Sequence, residues 1–188
     1  MRKFLIIGLF LTSLFTFGCS GGSTQVTQTD LPASSYDTYA ISNYQIQYPI
    51  GWKVKRDFTS NIEKSTDVAF ISNVKEIFFT STATVAVQQI SDGVLVKDFA
   101  QGIIDQNEKT LLNYEVIDRQ ELAIGETDST FLIQFRGKLR PEDNLIEYFQ
   151  TYRTKGNTGY VVTGAHDPNG DPVLATRLLE AVSSFRIR

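Results

Sequence analysis

The alternation of apolar and polar residues predicts strands in the first half of the chain. Tyr44, Ile46 and Tyr48 alternate with polar residues, which is typical of a strand with one buried face. The Pro49–Gly51 segment then predicts a turn that leads the chain toward Trp52. Further strands are predicted at two stretches rich in apolar and β-branched residues, Asp67–Ile71 and Ala83–Ile90.

The spacing of apolar residues changes at Leu95 and predicts an amphipathic helix over Leu95–Leu112. Leu95, Phe99 and Ile103 recur at intervals of four residues, and the stripe continues to Leu111 and Leu112. Charged and amide side chains occupy most of the other positions. This period favours a helix that packs one face on a sheet.

A β-hairpin is predicted around Pro141–Asn144. The residues from Phe131 to Leu139 alternate between apolar and polar, and Pro-Glu-Asp-Asn is typical of a four-residue turn. A turn of this length places Lys138 opposite Glu147. We expect one face of the hairpin to be buried and the other to contact water.

The last part of the chain predicts another strand and a final helix. The strand covers Tyr160–Gly164, and the helix begins at Pro172 after an Asp171 cap. Its apolar stripe consists of Leu174, Leu178 and Val182 and leads to Phe185. Antiparallel strands with two long helices set between them predict the α+β class.

The N-terminus has the pattern of an export signal. A basic start precedes an apolar run from Phe4 to Phe17, which is too short to cross a bilayer, since that takes about 20 residues. Cys19 follows directly where bacterial lipoprotein signals end. We predict a lipoprotein signal peptide over residues 1–18 and lipidation of the Cys19 thiol. The alternative is a soluble secreted protein with a stray cysteine.

The segment after Cys19 has the composition of a flexible tether. Seven of the sixteen residues from Ser20 to Ser35 are Ser or Thr, and only Asp30 is charged. We expect lipidated Cys19 and the tether, residues 19–35, to join a bacterial membrane to a domain over residues 36–188. A flexible chain of this length spans roughly 20 to 25 Å, enough to hold the domain clear of the lipid headgroups.

Composition and charge exclude some function classes. The chain is 41% hydrophobic and 21% charged, as expected of a globular protein. Its net charge is -3. Without the predicted leader, 16 basic and 21 acidic residues remain, which gives a net charge of -5. Because there is no basic excess, nucleic acid is not an expected partner. With one Cys and one His, the chain cannot form an internal disulfide or a closed zinc site of four N or S ligands.

The opening of the domain resembles the PsbP family. Tyr44–Val54 is similar to the family's first strand, Tyr-Pro turn and Trp. Later stretches fall in the family's order: Val68–Phe70, Thr84–Val87, the Leu95 helix, Tyr160–Val162 and Ser184–Ile187. The resemblance implies an α/β/α sandwich with a central antiparallel sheet flanked by helices.

The resemblance also implies a non-enzymatic accessory protein. Family members include extrinsic subunits and assembly factors of photosystem II, as well as bacterial lipoproteins without a photosynthetic role. The chain contains no Gly-x-Ser-x-Gly, phosphate-loop or His-Glu-x-x-His motif, which agrees with that expectation. We therefore expect no enzyme, and a membrane protein complex as partner. The membrane would be the cell envelope, or the thylakoid on its lumenal side in a cyanobacterium.

One short segment has the donor pattern of a metal site. Asp167, Asn169 and Asp171 occupy positions one, three and five of a calcium-loop spacing, and His166 adds a nitrogen. Pro172 stands where an EF-hand needs glycine. Calcium or manganese, both associated with photosynthetic PsbP proteins, is the expected ion. Alternatively, the segment is an Asx turn followed by a helix cap.

Basic side chains along the hairpin form a candidate docking surface for an acidic partner; they are Arg136, Lys138, Arg140, Arg153 and Lys155. The alternative is an ordinary solvated strand face. Tyr48 and Trp52 could likewise form an exposed aromatic patch, but core packing is expected.

Two functions follow from these observations. The first is a membrane-tethered accessory protein, acting on photosystem II if the host is photosynthetic. The second is a metal- or ligand-binding lipoprotein of the cell envelope, unrelated to photosynthesis.

Overall fold

The computed structural model describes residues 35–56, 58, 66–124 and 128–188. The predicted leader, Cys19 and residues 20–34 of the predicted tether lie outside the described residues. The strands are β1 Tyr36–Ala40, β2 Tyr44–Pro49, β3 Lys53–Lys55, β4 Thr66–Ile71, β5 Thr82–Gln89, β6 Leu112–Ile124, β7 Asp128–Lys138, β8 Ile146–Lys155, β9 Thr158–His166 and β10 Arg186–Ile187. The helices are α1 Val96–Thr110 and α2 Pro172–Ser183.

The described strands form two antiparallel sheets. The large sheet has seven strands in the order β3-β4-β5-β9-β8-β7-β6, and the small sheet has the order β1-β2-β10. Helix α1 packs on one face of the large sheet, and α2 packs on strands β5, β8 and β9 and on β2 of the small sheet. The α+β class and the helix–sheet–helix layering expected from the sequence are confirmed. Neither of the two described helices is long and apolar enough to cross a bilayer.

The larger core lies between the large sheet, α2 and the small sheet. It holds the α2 residues Leu174, Leu178 and Val182, which confirms the predicted stripe, together with Phe185. The Asp171 side chain caps α2 by accepting from the Val173 N–H. The remaining buried members are Tyr44, Ile46, Trp52, Val68, Phe70, Ala83, Val85, Phe149, Tyr160 and Val162.

Tyr48 and Trp52 both pack into this part of the molecule. Trp52 is buried, and the half-buried Tyr48 ring stacks on Phe70 with 4.6 Å between centroids. Core packing, the alternative favoured for these two aromatics, is confirmed.

The smaller core lies under α1. Phe131, Ile133 and Phe135 of β7 are buried here, as their alternation predicted. The buried α1 residues are Val96, Phe99, Ala100 and Ile104. The predicted stripe was wrong at its start, because Leu95 precedes the helix and is exposed while its neighbour Val96 is buried.

Strand β6 was not predicted, and it replaces the expected end of the α1 helix. The helix stops at Thr110, and Leu112 already pairs with Lys138 of β7. Asn113 has a left-handed backbone with φ of 54°, which fits a bulge in the ladder between Leu112 and Glu115. Since most β6 side chains are exposed, no apolar period marked the strand.

The predicted pairing of the β7–β8 hairpin was wrong by two residues. Arg136, not Lys138, lies opposite Glu147. The connection is longer than four residues because β7 ends at Lys138 and β8 begins at Ile146. A turn within it is closed by the Asp143 N–H, which donates to the Arg140 carbonyl. A shift by two keeps every side chain on its predicted face. The expectation that this face contacts water was wrong, because Thr130, Glu147 and Thr151 on it are buried.

Close packing of α1 on the sheet requires glycine at position 159 of β9. A Cβ at Gly159 would lie 2.6 Å from Cζ of the buried Phe99. We expect Gly159→Ala to lower the free energy of unfolding by about 1–3 kcal/mol through overpacking. Urea unfolding followed by circular dichroism measures this change.

Gly102 provides a matched control on the exposed side of α1. A Cβ there meets nothing within 4 Å. We expect Gly102→Ala to raise the unfolding free energy by about 0.5–1 kcal/mol, because alanine favours the helix. Equal effects of the two substitutions would contradict the packing described.

Candidate functional site

Three connections meet at one end of the large sheet, which we call the loop end. They are residues 72–81 between β4 and β5, residues 139–145 between β7 and β8, and residues 167–171 between β9 and α2. The register brings them together, since Ile71 pairs with Thr82 and Thr82 with Ala165. Glu147 likewise pairs with His166. The β8–β9 turn and the start of α1 lie at the opposite end.

An apolar cleft opens between two of these connections. Its volume is about 350 Å³. Phe78 and Leu139 lie on its two sides and are 60% and 68% exposed, which is unusual for large apolar side chains. The other lining residues are Phe79, Glu142, Asp143, Asn144, Ile146 and Tyr148. The cleft therefore offers an apolar surface whose lining also includes two carboxylates, of which Glu142 lies 4.0 Å from Arg140.

A buried carboxylate holds the first of these connections in place. Glu76 is buried, and its Oε2 accepts a hydrogen bond from the Ser81 hydroxyl. Its other oxygen, Oε1, packs so closely on Gly170 that a Cβ there would be 1.9 Å away. The Ser72 N–H donates to the Ser81 carbonyl across the base of the loop. With Glu76 turned inward, Ile77 and Phe78 are left exposed.

A second buried carboxylate, Glu147, contacts side chains of the neighbouring strands β7 and β9 at the loop end. Arg136 contacts its Oε2 through two nitrogens, Nε at 2.7 Å and Nη2 at 2.6 Å. Oε1 accepts from Gln134 at 2.8 Å and lies 3.2 Å from Nε2 of His166. Burial alone raises the pKa of the Glu147 carboxyl, but the hydrogen bonds from Arg136 and Gln134 and the charge of His166 together bring that pKa below its ordinary value.

His166 belongs to this buried network rather than to the surface. Its ring stacks on Phe149, with 5.5 Å between centroids and 5° between planes. Nδ1 lies 2.9 Å from the Asp167 carbonyl oxygen. Both ring nitrogens therefore face acceptors, and hydrogen bonds to both at once require a proton on each nitrogen.

The four predicted metal ligands are neighbours in the chain, and the side chains of His166, Asp167 and Asp171 make other contacts. Oδ1 of Asp167 accepts from the Asn169 N–H, which forms an Asx turn. Asp171 caps α2, and His166 contacts Glu147. Within the described ranges, no three His, Cys, Asp or Glu side chains are grouped to hold a metal ion. The calcium or manganese site stays a prediction.

The predicted basic surface is divided between the two ends of the sheet. Arg136, Lys138 and Arg140 lie at the loop end, where Lys138 Nζ donates to the Pro141 carbonyl at 2.6 Å. Arg153 and Lys155 lie at the far end of β8. Arg153 is half-buried and donates to its neighbour's carbonyl. The structure does not bring the five cations together as one patch, and docking through them stays a prediction.

Comparison with known proteins identifies a similar fold. No family model and no curated protein matches the chain. The solution structure of cyanobacterial PsbP (CyanoP) from Synechocystis sp. PCC 6803 matches with a TM-score of 0.60 and 14% identity, covering 91% of this chain and 98% of that one. A Pseudomonas aeruginosa protein of unknown function matches with a TM-score of 0.49 and 11% identity, covering 75% of this chain and 89% of that one. The chain has a PsbP-like fold.

The contribution of Glu147 to the free energy of unfolding should depend on pH in the acid range. The pKa of the Glu147 carboxyl in the folded protein lies below the unfolded value of about 4.3. The stabilisation that Glu147 contributes is therefore complete above a pH of about 4.3 and is lost as the pH falls through the folded pKa. We expect Glu147→Gln to cost about 1–3 kcal/mol at neutral pH and less in acid. Urea unfolding across the acid range measures this loss. The exposed carboxylate of Glu142 provides the control, and equal pH profiles for Glu147→Gln and Glu142→Gln would contradict the assignment.

Proposed function

We propose that this PsbP-like protein is a non-enzymatic accessory protein, held at a membrane by lipidated Cys19, that binds a membrane protein complex through the cleft at the loop end. The observation that carries the proposal is the exposure of Phe78 and Leu139 around that cleft. Exposed apolar residues rimmed by polar ones are typical of protein interaction sites. In a photosynthetic host, photosystem II is the first partner to test.

The shape and charge of the cleft indicate what it binds. Phe79, Ile146 and Tyr148 form its apolar lining, which suits one or two apolar side chains of a partner loop. Glu142 and Asp143 also line the cleft, so a basic residue beside those apolar anchors would be favoured, although it would compete with Arg140, which lies 4.0 Å from Glu142. This differs from the acidic partner expected from the basic residues of the hairpin.

Metal binding by the His166–Asp171 segment remains the second candidate. One observation favours it: Oδ2 of Asp167 is buried and has no hydrogen-bond partner among the described residues. A buried carboxylate oxygen without a partner is unfavourable, and a cation or an ordered water would satisfy it. A water suffices, and for that reason we rank this function below docking.

Lipidation can be tested on the thiol itself. We expect Cys19→Ser to move the protein from the membrane fraction to the soluble fraction, because the acyl chains would be lost. Membrane fractionation and the intact mass of the mature chain measure the effect. Ser20→Ala is the control and should stay in the membrane. An unmodified Cys19 thiol in the mature protein would contradict the anchor.

Docking can be tested with charge substitutions in the cleft. We expect Phe78→Asp and Leu139→Asp each to reduce capture of the partner from detergent-solubilised membranes by about tenfold or more. Quantitative mass spectrometry of proteins crosslinked to the tagged chain measures this capture. Leu95→Asp is a matched control, since Leu95 is 60% exposed, as Phe78 is, but lies at the opposite end of the sheet. Equal capture by all three variants would contradict docking through the cleft.

A further inference from the structure

Apolar side chains also project from the loop end outside the cleft. Ile77 is 72% exposed, and Ile50 and Val74 are each 52% exposed; we call these three residues the apolar tips. None of them lines the cleft. They come from two separate segments, since Ile50 follows β2 and the other two lie between β4 and β5.

The two segments that carry the tips lie side by side. A Cβ on Gly51 would be 3.6 Å from the side-chain amide of Asn73, the residue before Val74. The tips therefore lie on adjacent segments of the loop end, although they are far apart in the chain. Three aliphatic side chains gathered in this way at solvent-exposed positions need an explanation.

The chain reaches the domain at this same surface. The Ile50 N–H donates to the carbonyl of Ser35, the first described residue, at 3.0 Å. Tyr36 then pairs with Pro49. Fifteen residues separate Ser35 from Cys19, a length that can span no more than about 58 Å when fully extended. With Cys19 lipidated, the apolar tips lie at the point of the domain where the membrane tether attaches.

The exposed charges on the two segments that carry the tips are basic, while Glu142 and Asp143 lie in the neighbouring cleft. Lys75 and Lys53 are exposed, and Lys53 pairs with Ile71 at the start of the loop. Glu76 is turned inward and buried, so the exposed charge of residues 72–81 is the Lys75 ammonium. Aliphatic side chains beside lysines are the combination found where proteins lie in the membrane interface.

We propose that the loop end faces the bilayer and that Ile50, Val74 and Ile77 insert into the lipid headgroup region, with Lys53 and Lys75 at the phosphates. This inference rests on the tether of the proposed function but not on the protein partner or on the cleft. Three side chains bind lipid only weakly by themselves. A tether of this length raises the local lipid concentration, so weak insertion is enough to orient the domain.

Site-specific fluorescence on the full lipidated chain tests the orientation. Cys19 is the chain's one cysteine, and its thiol is consumed by lipidation, so an introduced cysteine is the sole free thiol. Ile77→Cys and Ile50→Cys are labelled with an environment-sensitive nitrobenzoxadiazole dye. Each protein is placed in vesicles of phosphatidylethanolamine and phosphatidylglycerol that contain doxyl-labelled lipid. Leu95→Cys is the control at the opposite end of the sheet.

We expect a blue shift and a roughly twofold loss of emission at positions 77 and 50, and neither at position 95, because the doxyl group quenches only dyes that reach the lipid. Emission at position 77 that matches position 95, at saturating vesicle concentration, would overturn the inference. So would shielding of position 77 that appears only when membrane proteins are added, since that result assigns the tips to a protein interface. The Cys19 mass and the capture assay separately report on the anchor and on docking.

Discussion

The burial of the central strands on both faces is the constraint on which the rest of this structure depends. Seven of the nine residues of β9 are buried. A strand that is apolar on both sides has to be covered on both sides, so one helix cannot complete the core. Helix α1 covers one face, and α2 with the small sheet covers the other.

The contacts of Glu147 with Gln134, Arg136 and His166 favour one register between β7 and β8, which hydrophobic burial alone does not determine. Sliding β7 by two residues along β8 would keep every apolar side chain on its own face, so the core distinguishes poorly between the two pairings. It would, however, place Lys138 opposite Glu147 in place of Arg136. A guanidinium contacts the buried carboxylate through two nitrogens, which a single ammonium cannot reproduce. A polar cluster at the edge of the core thus selects one pairing.

The same distinction explains how much of the fold could be predicted from the sequence. The strands β2, β4, β5 and β9 and the helix α2 follow from apolar period and capping, which are local properties. The β7–β8 register was wrong because it depends on a contact between Arg136 and Glu147 that no local pattern encodes. Strand β6 was missed because its exposed side chains show no period. The candidate basic residues could be listed from the sequence, but their division between two ends of the sheet required the topology.

The exposed apolar residues of the loop end were not predicted from the sequence, for a different reason. Ile77, Phe78 and Phe79 form an apolar triplet between two strands, which by itself is typical of core. The exposure of Ile77 and Phe78 follows from the residue before them. Glu76 takes the inward position because Ser81 donates to it and Gly170 leaves room for it. Here a carboxylate, Glu76, is buried and an aromatic residue, Phe78, is exposed, which is the reverse of the usual arrangement. A rule based on residue type alone would not predict it.

The same loop, with Glu76 buried and Ile77 and Phe78 exposed, also connects the proposed protein contact with the proposed lipid contact. Phe78 lines the cleft, while its neighbour Ile77 belongs to the apolar tips, so one anchored loop serves both surfaces. If the tips lie in the headgroups, the cleft is held close to the bilayer surface. A partner that fills it must then present its apolar anchor near that surface, as an integral membrane protein does and a freely soluble one does not. Confinement to the membrane plane would raise the local concentration of such a partner, which would favour docking even at a cleft of about 350 Å³.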